Sequence, residues 1–321
     1  MIQSDAGSGW LPMLVFTDYR RRLMSYRIPL GMLFGAVFLS PGSALAQEKP
    51  PTADSAQIVV QGNKNLKRDI AKFVGALAED PATSQLSRFE DAVCPKAVGL
   101  PPVQAEAVAN RMRQVAEAAG IRVGKPGCRV NVVAIVTPDK HGFLKLLSDR
   151  KPDYFGDLEP IQIRRLVAEK GPATAWQLQG PAISARGTVI MDGVGGPPMN
   201  TTAEPATRLR ATARPQFAAA VVVIDAAAVD GLTARQLADY AAMRTYAGTK
   251  PSRLEVSTAT TILKVLEAPM GSETPSSLTN WDLGFLRGLY ASPPNAYAGV
   301  QRGAIRAGVN KQVQEGETEK N

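Results

Sequence analysis

Two cysteines, Cys94 and Cys128, are the only thiol-bearing residues in this 321-residue chain, and the segment ahead of them decides their chemistry. Arg20, Arg21, Arg22 and Arg27 form a basic stretch, and the apolar run Leu30 to Leu39 follows it. Pro41 and Gly42 break that run, and Ala44-Leu45-Ala46 puts small residues at −3 and −1 of a cut before Gln47. This is the layout of a secretory signal, and the apolar run is too short to span a bilayer comfortably. We read residues 1–46 as a cleaved signal peptide with its start at Met24, and the mature protein as periplasmic or secreted. In an oxidising compartment two thiols more often pair than stay free. A Cys94–Cys128 bridge would close a loop of about 35 residues and add roughly 3–4 kcal/mol by loop-closure entropy. The alternative is two independent buried thiols.

The exported part keeps 33 basic and 27 acidic residues, a mild positive balance. Such a charge favours anionic surfaces only weakly. The Lys and Arg are scattered and not interleaved with aromatics, so nucleic-acid binding is not expected. The expected partners are an anionic envelope component or another exported protein.

Hydrophobic periodicity divides the rest. Residues 47–56 read as a flexible leader, and "QIVVQG" as a short strand. Ile70, Phe73, Val74 and Leu77 recur at helical spacing. "VCPKAVGLPP" reads as an irregular connector. A helix then begins near Pro101-Pro102, carries a stripe of Val108, Met112, Val115 and Ala119, and ends at Gly120. A strand is expected over Arg129 to Val136. Helices are expected in "TPDKHGFLKLLSD" and "EPIQIRRLVAEKG", then two strand-like runs, "ATAWQLQG" and "AISARGTVIM". Residues 192–215, rich in Gly, Pro and Thr, read as a long loop and the best candidate for a seam.

"FAAAVVVIDAAAV" is a buried strand by composition, and three helices are expected after it. In the first, "LTARQLADYAAMR" is read as amphipathic. It opens with a capping box, Thr233 as N-cap and Gln236 at N3, stapled by Leu232 and Leu237. The second covers about Ser257 to Glu267. The third, "SLTNWDLGFLRGLY", repeats the box with Thr279 and Asp282. The expected class is α+β, mixed helices with a small sheet. Residues 57–170 would hold the disulfide, 171–309 the buried strand, and 310–321 a disordered tail.

Catalytic sets are hard to assemble from these residues. His141 is the one histidine, so a tetrahedral zinc site of His and Cys ligands lacks its donors, and no metal or cofactor is expected. No G-x-S-x-G is present, and Ser148 with Lys151 match S-x-x-K by letters alone. His141 could act as a general base, though a solvated surface residue is the simpler reading. Asp225 ends the buried strand and Asp239 lies on the next helix, a place that suits carboxylate chemistry and equally suits turns and caps. Trp176, Trp281, Tyr240, Tyr246, Tyr290 and Tyr297 could form a binding groove, though Trp281 and Trp176 are more simply read as core.

"RFEDAVCPKAVGL", "GCRVNVVAIV", "GLTARQLADYAAMRTYA" and "SLTNWDLGFLRGLY" together resemble an uncharacterised family of exported proteins from Gram-negative bacteria. The C-terminal portion also resembles an exported zincin-like family in which the equivalent helix carries metal ligands. That likeness implies a degenerate zincin-like fold. Here the helix offers Arg235, Gln236 and Asp239 and no imidazole, which argues against peptidase activity. The expected function is a non-catalytic exported protein that binds an envelope component or a protein partner. The alternative is a hydrolase using carboxylates near Asp225 and Asp239.

Overall fold

A computed structural model describes residues 55–78, 84–184, 207, 210–251, 254, 259–269 and 272–318, with side chains from residue 65. The signal segment, the leader as far as residue 54 and most of the 192–215 stretch lie outside the described residues.

Seven helices and a four-stranded mixed sheet make the described part an α+β fold. The strands are β1 (Pro95–Val98), β2 (Val132–Thr137), β3 (Ala173–Ser184) and β4 (Ala213–Asp225), in the order β1-β2-β4-β3. β1, β2 and β4 run parallel and β3 antiparallel at the far edge. The pleat sorts β2 and β4 by face. Val132, Ala134, Val136, Ala220, Val222 and Ile224 look into the main core. Val223, with Ile135 and Val221 beside it, looks into a smaller one. Both faces are covered, as parallel strands require.

The main face carries α1 (Ser55–Leu77), α2 (Pro102–Ala118), α5 (Ala234–Tyr246), α6 (Asn280–Ala291) and α7 (Ala298–Thr318). The expected faces Ile70-Phe73-Val74-Leu77 and Val108-Met112-Val115-Ala119 are buried. The opposite face carries α3 (Lys140–Arg150), a 3-10 turn at Pro152–Phe155 and α4 (Pro160–Val167). There Trp176, 3% exposed, stacks on Phe155 at 5.0 Å and donates its ring N–H to Tyr154 O. One sheet takes two strands from each expected half, and the main core runs from Ile70 to Val313.

Several local expectations are corrected. "QIVVQG" is not a strand; α1 continues through it back to Ser55, because β-branched preference is weak against a longer helix. The connector after Cys94 is strand β1. Pro95 is tolerated there because it opens an edge strand. "ATAWQLQG" and the start of the next run form one strand, β3, irregular between Leu178 and Gln179 and between Gly180 and Ile183. Residues 213–215 belong to β4 rather than to the loop. Of the middle helix, only a 3-10 turn at Ile262–Lys264 lies among the described residues. The tail is helical to Thr318, with Gln312 and Val313 buried.

Gly99 leaves β1 at φ +83°, where a Cβ would overlap the carbonyl oxygen of Val136. Only glycine lets the chain cross the end of β2 so closely.

Cys94 and Cys128 form a disulfide, with Cα atoms 6.0 Å apart. It joins the root of β1 to the turn ahead of β2. The Arg113 guanidinium lies 3.8 and 3.7 Å from the two sulfurs and donates to Gly124 O. A thiol assay on unfolded, unreduced mature protein is expected to find no reactive thiol. Cys94→Ser/Cys128→Ser is expected to lower unfolding free energy by roughly 3–4 kcal/mol. Two titratable thiols in the unreduced chain would refute the bridge.

Candidate functional site

The capping residues and Asp239 converge on one region, where the N-termini of α5 and α6 meet the segment 259–279. Both boxes are closed. The Thr233 side chain accepts from Gln236 N while Gln236 accepts from Thr233 N. Thr279 and Asp282 do the same on α6. Gln236 also donates through its amide to Pro275 O at 2.9 Å. Each box then grips the intervening segment as well as its own helix.

α5 is not amphipathic: every residue from Gln236 to Tyr246 is buried. Its polar side chains are therefore interior groups that need partners. Asp239, 0% exposed, faces Arg111 of α2 in a two-pronged ion pair, Oδ1 to Nε at 2.7 Å and Oδ2 to Nη2 at 3.1 Å. Oδ2 also accepts from Ser277 Oγ at 2.8 Å and Leu278 N at 2.6 Å. Both oxygens are engaged in holding α2, α5 and the entry to α6 together.

Asp282 is also fully buried, but no cation pairs with it among the described residues. Oδ1 accepts from the Thr261 hydroxyl; Oδ2 accepts from Ile262 N, Thr279 N and the Thr279 hydroxyl. Burial pushes its pKa above the usual carboxylate range, against the hydrogen bonds from Thr261, Ile262 and Thr279. The single Thr279 hydroxyl hydrogen cannot serve both Asp282 and Thr260 O, which it also reaches. When it goes to Thr260, a proton on Asp282 can fill the gap.

A raised folded-state pKa means that the native state holds this proton more tightly than the unfolded chain. The contribution is fully present below about pH 4, the unfolded carboxyl value, and is lost as pH rises through the folded value. Urea midpoints for the wild type and Asp282→Asn, measured from pH 4 towards 7, are expected to show the flatter dependence in the variant. An unchanged slope would remove Asp282 as the source.

Outside these anchors lies a cleft of about 520 Å³, bordered by Leu254, Thr260, Lys264, Glu267, Glu273 and Thr274 among others. Its hydroxyls and its charges of both signs suit a polar ligand or a protein segment with matching groups.

The remaining candidates lie elsewhere. Asp225 ends β4 in register with Thr137, and its carboxylate accepts from Ala227 N at 3.1 Å. It shares no hydrogen-bond partner with Asp239 among the described residues. His141 is exposed, with a ring nitrogen 2.9 Å from Val167 O, tying α3 to α4. Among the described residues, no group of three or more His, Cys, Asp or Glu is placed to hold a metal ion.

Three charged groups escaped the sequence reading: the half-buried Arg111 and the interior Lys140 and Arg244. Lys140 is 6% exposed and donates to Glu169 O and Thr174 Oγ1. Burial lowers its pKa, with Glu169 and Asp225 opposing and Arg244 reinforcing the shift. The spacing of Tyr240 and Arg244, one turn apart on a helix of small apolar residues, was the available signal.

No protein family was found to match this chain, and neither was any curated protein or solved structure.

Proposed function

We propose that this is an exported protein without catalysis of its own, which binds an envelope component or another exported protein. The observation that carries the reading is the cleft beside 259–279, whose borders are fixed by buried polar anchors. Gln236, Asp239 and Asp282 each bind this segment from a helix. A recess held this way loses little freedom when it is filled, which favours affinity. The saturated Asp239 carboxylate supports a scaffolding role for that residue over a reacting one. The disulfide supports an oxidising compartment, and the secretory-signal layout of residues 1–46 supports export to the envelope.

The test is capture from an envelope fraction by the mature chain, with Ala268→Trp, which fills the cleft, as the comparison. A component retained by the wild type and lost by the folded variant is expected. Equal capture by both would overturn the cleft as the site. Hydrolysis of an envelope substrate that Asp225→Asn abolishes in folded protein would replace this reading with the carboxylate hydrolase.

A further inference from the structure

Arg244 lies in the last turn of α5, 3% exposed. Its Nη1 donates to the Tyr240 hydroxyl at 2.6 Å, and the guanidinium centre lies 5.6 Å from the Tyr240 ring centroid. Its Nε is buried and has no hydrogen-bond partner. None of the described carboxylates forms an ion pair with it, and its side chain makes no further hydrogen bond among the described residues. Burying a guanidinium without a direct ion pair is unfavourable; Glu169 and Glu267 act on the neighbouring Tyr240 hydroxyl without bonding to Arg244. Contrast Arg111, whose Nε and Nη2 both reach the Asp239 carboxylate. On Arg244 that same Nε/Nη2 edge, the fork that fits two oxygens of one anion, has no hydrogen-bond partner among the described residues.

The surroundings point the same way. Gln177 of β3 donates to Arg244 O at 2.8 Å, and Lys140 bonds Thr174 of the same strand. Two buried cations therefore flank the first half of edge strand β3, and the hydrogen bonds of Lys140 go to uncharged oxygens. Thr174 pairs with Val223, two residues before β4 ends. There the chain leaving β2 turns to the α3 face, while the chain leaving β4 turns to the α5 face. Open sheets receive ligands at such a divide, beyond the carboxyl ends of parallel strands.

We infer that the Nε/Nη2 edge of Arg244, oriented by the Tyr240 hydroxyl, grips one small oxyanion, a carboxylate or phosphate group, beside the start of β3. Neither Arg244 nor Tyr240 borders the cleft described above, and the proposal does not rest on what that cleft binds.

Mature protein exchanged into chloride buffer is titrated with inorganic phosphate and, separately, with acetate. Ionic strength is held constant, and calorimetry and thermal melting are read together. One of the two is expected to bind saturably and raise Tm, which tells phosphate from carboxylate chemistry. Arg244→Met is expected to lose the response. Arg244→Lys, which keeps the charge without the fork, is expected to bind at least tenfold more weakly, and Tyr240→Phe several-fold more weakly. If Arg244→Met does not fold, Arg244→Lys and Tyr240→Phe decide. A wild-type response no larger than that to chloride overturns the site. So does a response that Arg244→Lys and Tyr240→Phe both retain in full.

Discussion

Arg111→Met is expected to destabilise the protein by about 3–5 kcal/mol, the usual cost of removing one partner of a buried ion pair. Asp239 would keep its two donors from Ser277 and Leu278 but lose the one cation bonded to it among the described residues, inside a helix buried from Gln236 to Tyr246. The effect should be asymmetric. Arg111 retains 23% side-chain exposure against 0% for Asp239. A stranded guanidinium can hydrate; a stranded carboxylate cannot. Asp239→Asn should therefore cost less than Arg111→Met. Arg111→Met/Asp239→Leu should cost less than the sum of its parts, because no unpaired charge is left inside. Urea unfolding of the set measures this directly. A loss below about 1 kcal/mol for Arg111→Met would place the pair with the weak surface bridges.

The α6–α7 crossing gives the second large effect. A Cβ at Gly284 would lie 2.5 Å from Val309 Cα, and one at Gly288 would lie 2.5 Å from Ile305 Cα. The obstacles are backbone atoms, so no rotamer change relieves them. Alanine would gain about 1 kcal/mol of helix propensity at each position. Against that, the helices would have to separate along a contact that also packs Phe285, Leu289, Ile305 and Val309. Overpacking typically costs about 1–3 kcal/mol per site, and with two sites on one contact we expect it to win. Gly284→Ala/Gly288→Ala should lose up to about 4 kcal/mol net, in the upper part of the range because the obstacles are backbone. Gly303 on α7 supplies the control: its Cβ would meet nothing within 4 Å. Gly303→Ala should be stabilising by about 0.5–1 kcal/mol. Thermal melts of the two variants moving in the same direction would sink the close-approach account.

Those glycines also explain what the sequence concealed. α7 contains Gly299, Gly303, Gly308 and Gly316, and no helix is expected from the sequence over this stretch, whose end reads as a disordered tail from residue 310. Gly308 is instead where the backbone of α6 comes close. The capping boxes at Thr233 and Thr279 were legible because a cap is decided within four residues. The Cys94–Cys128 pair was legible because the chain offers one pairing. Arg111 and Asp239 stand 128 residues apart, and nothing local announces that they meet. On α5 the charges of Asp239 and Arg244 suggested a wet face, yet both are interior. The interval of four between Tyr240 and Arg244 was present to be noticed, but its meaning depends on burial.

The short strand at the open margin of the sheet has one more consequence. An unpaired strand offers its amides to any neighbouring copy, and polymerisation can start there. β1 offers little purchase. It is four residues long, starts with a proline that has no amide hydrogen, and turns Lys96 outward. The Cys94 bond clamps it at its base, so fraying into a longer sticky ribbon is opposed covalently. Solutions kept under strong reductant should therefore clump sooner on storage than oxidised ones.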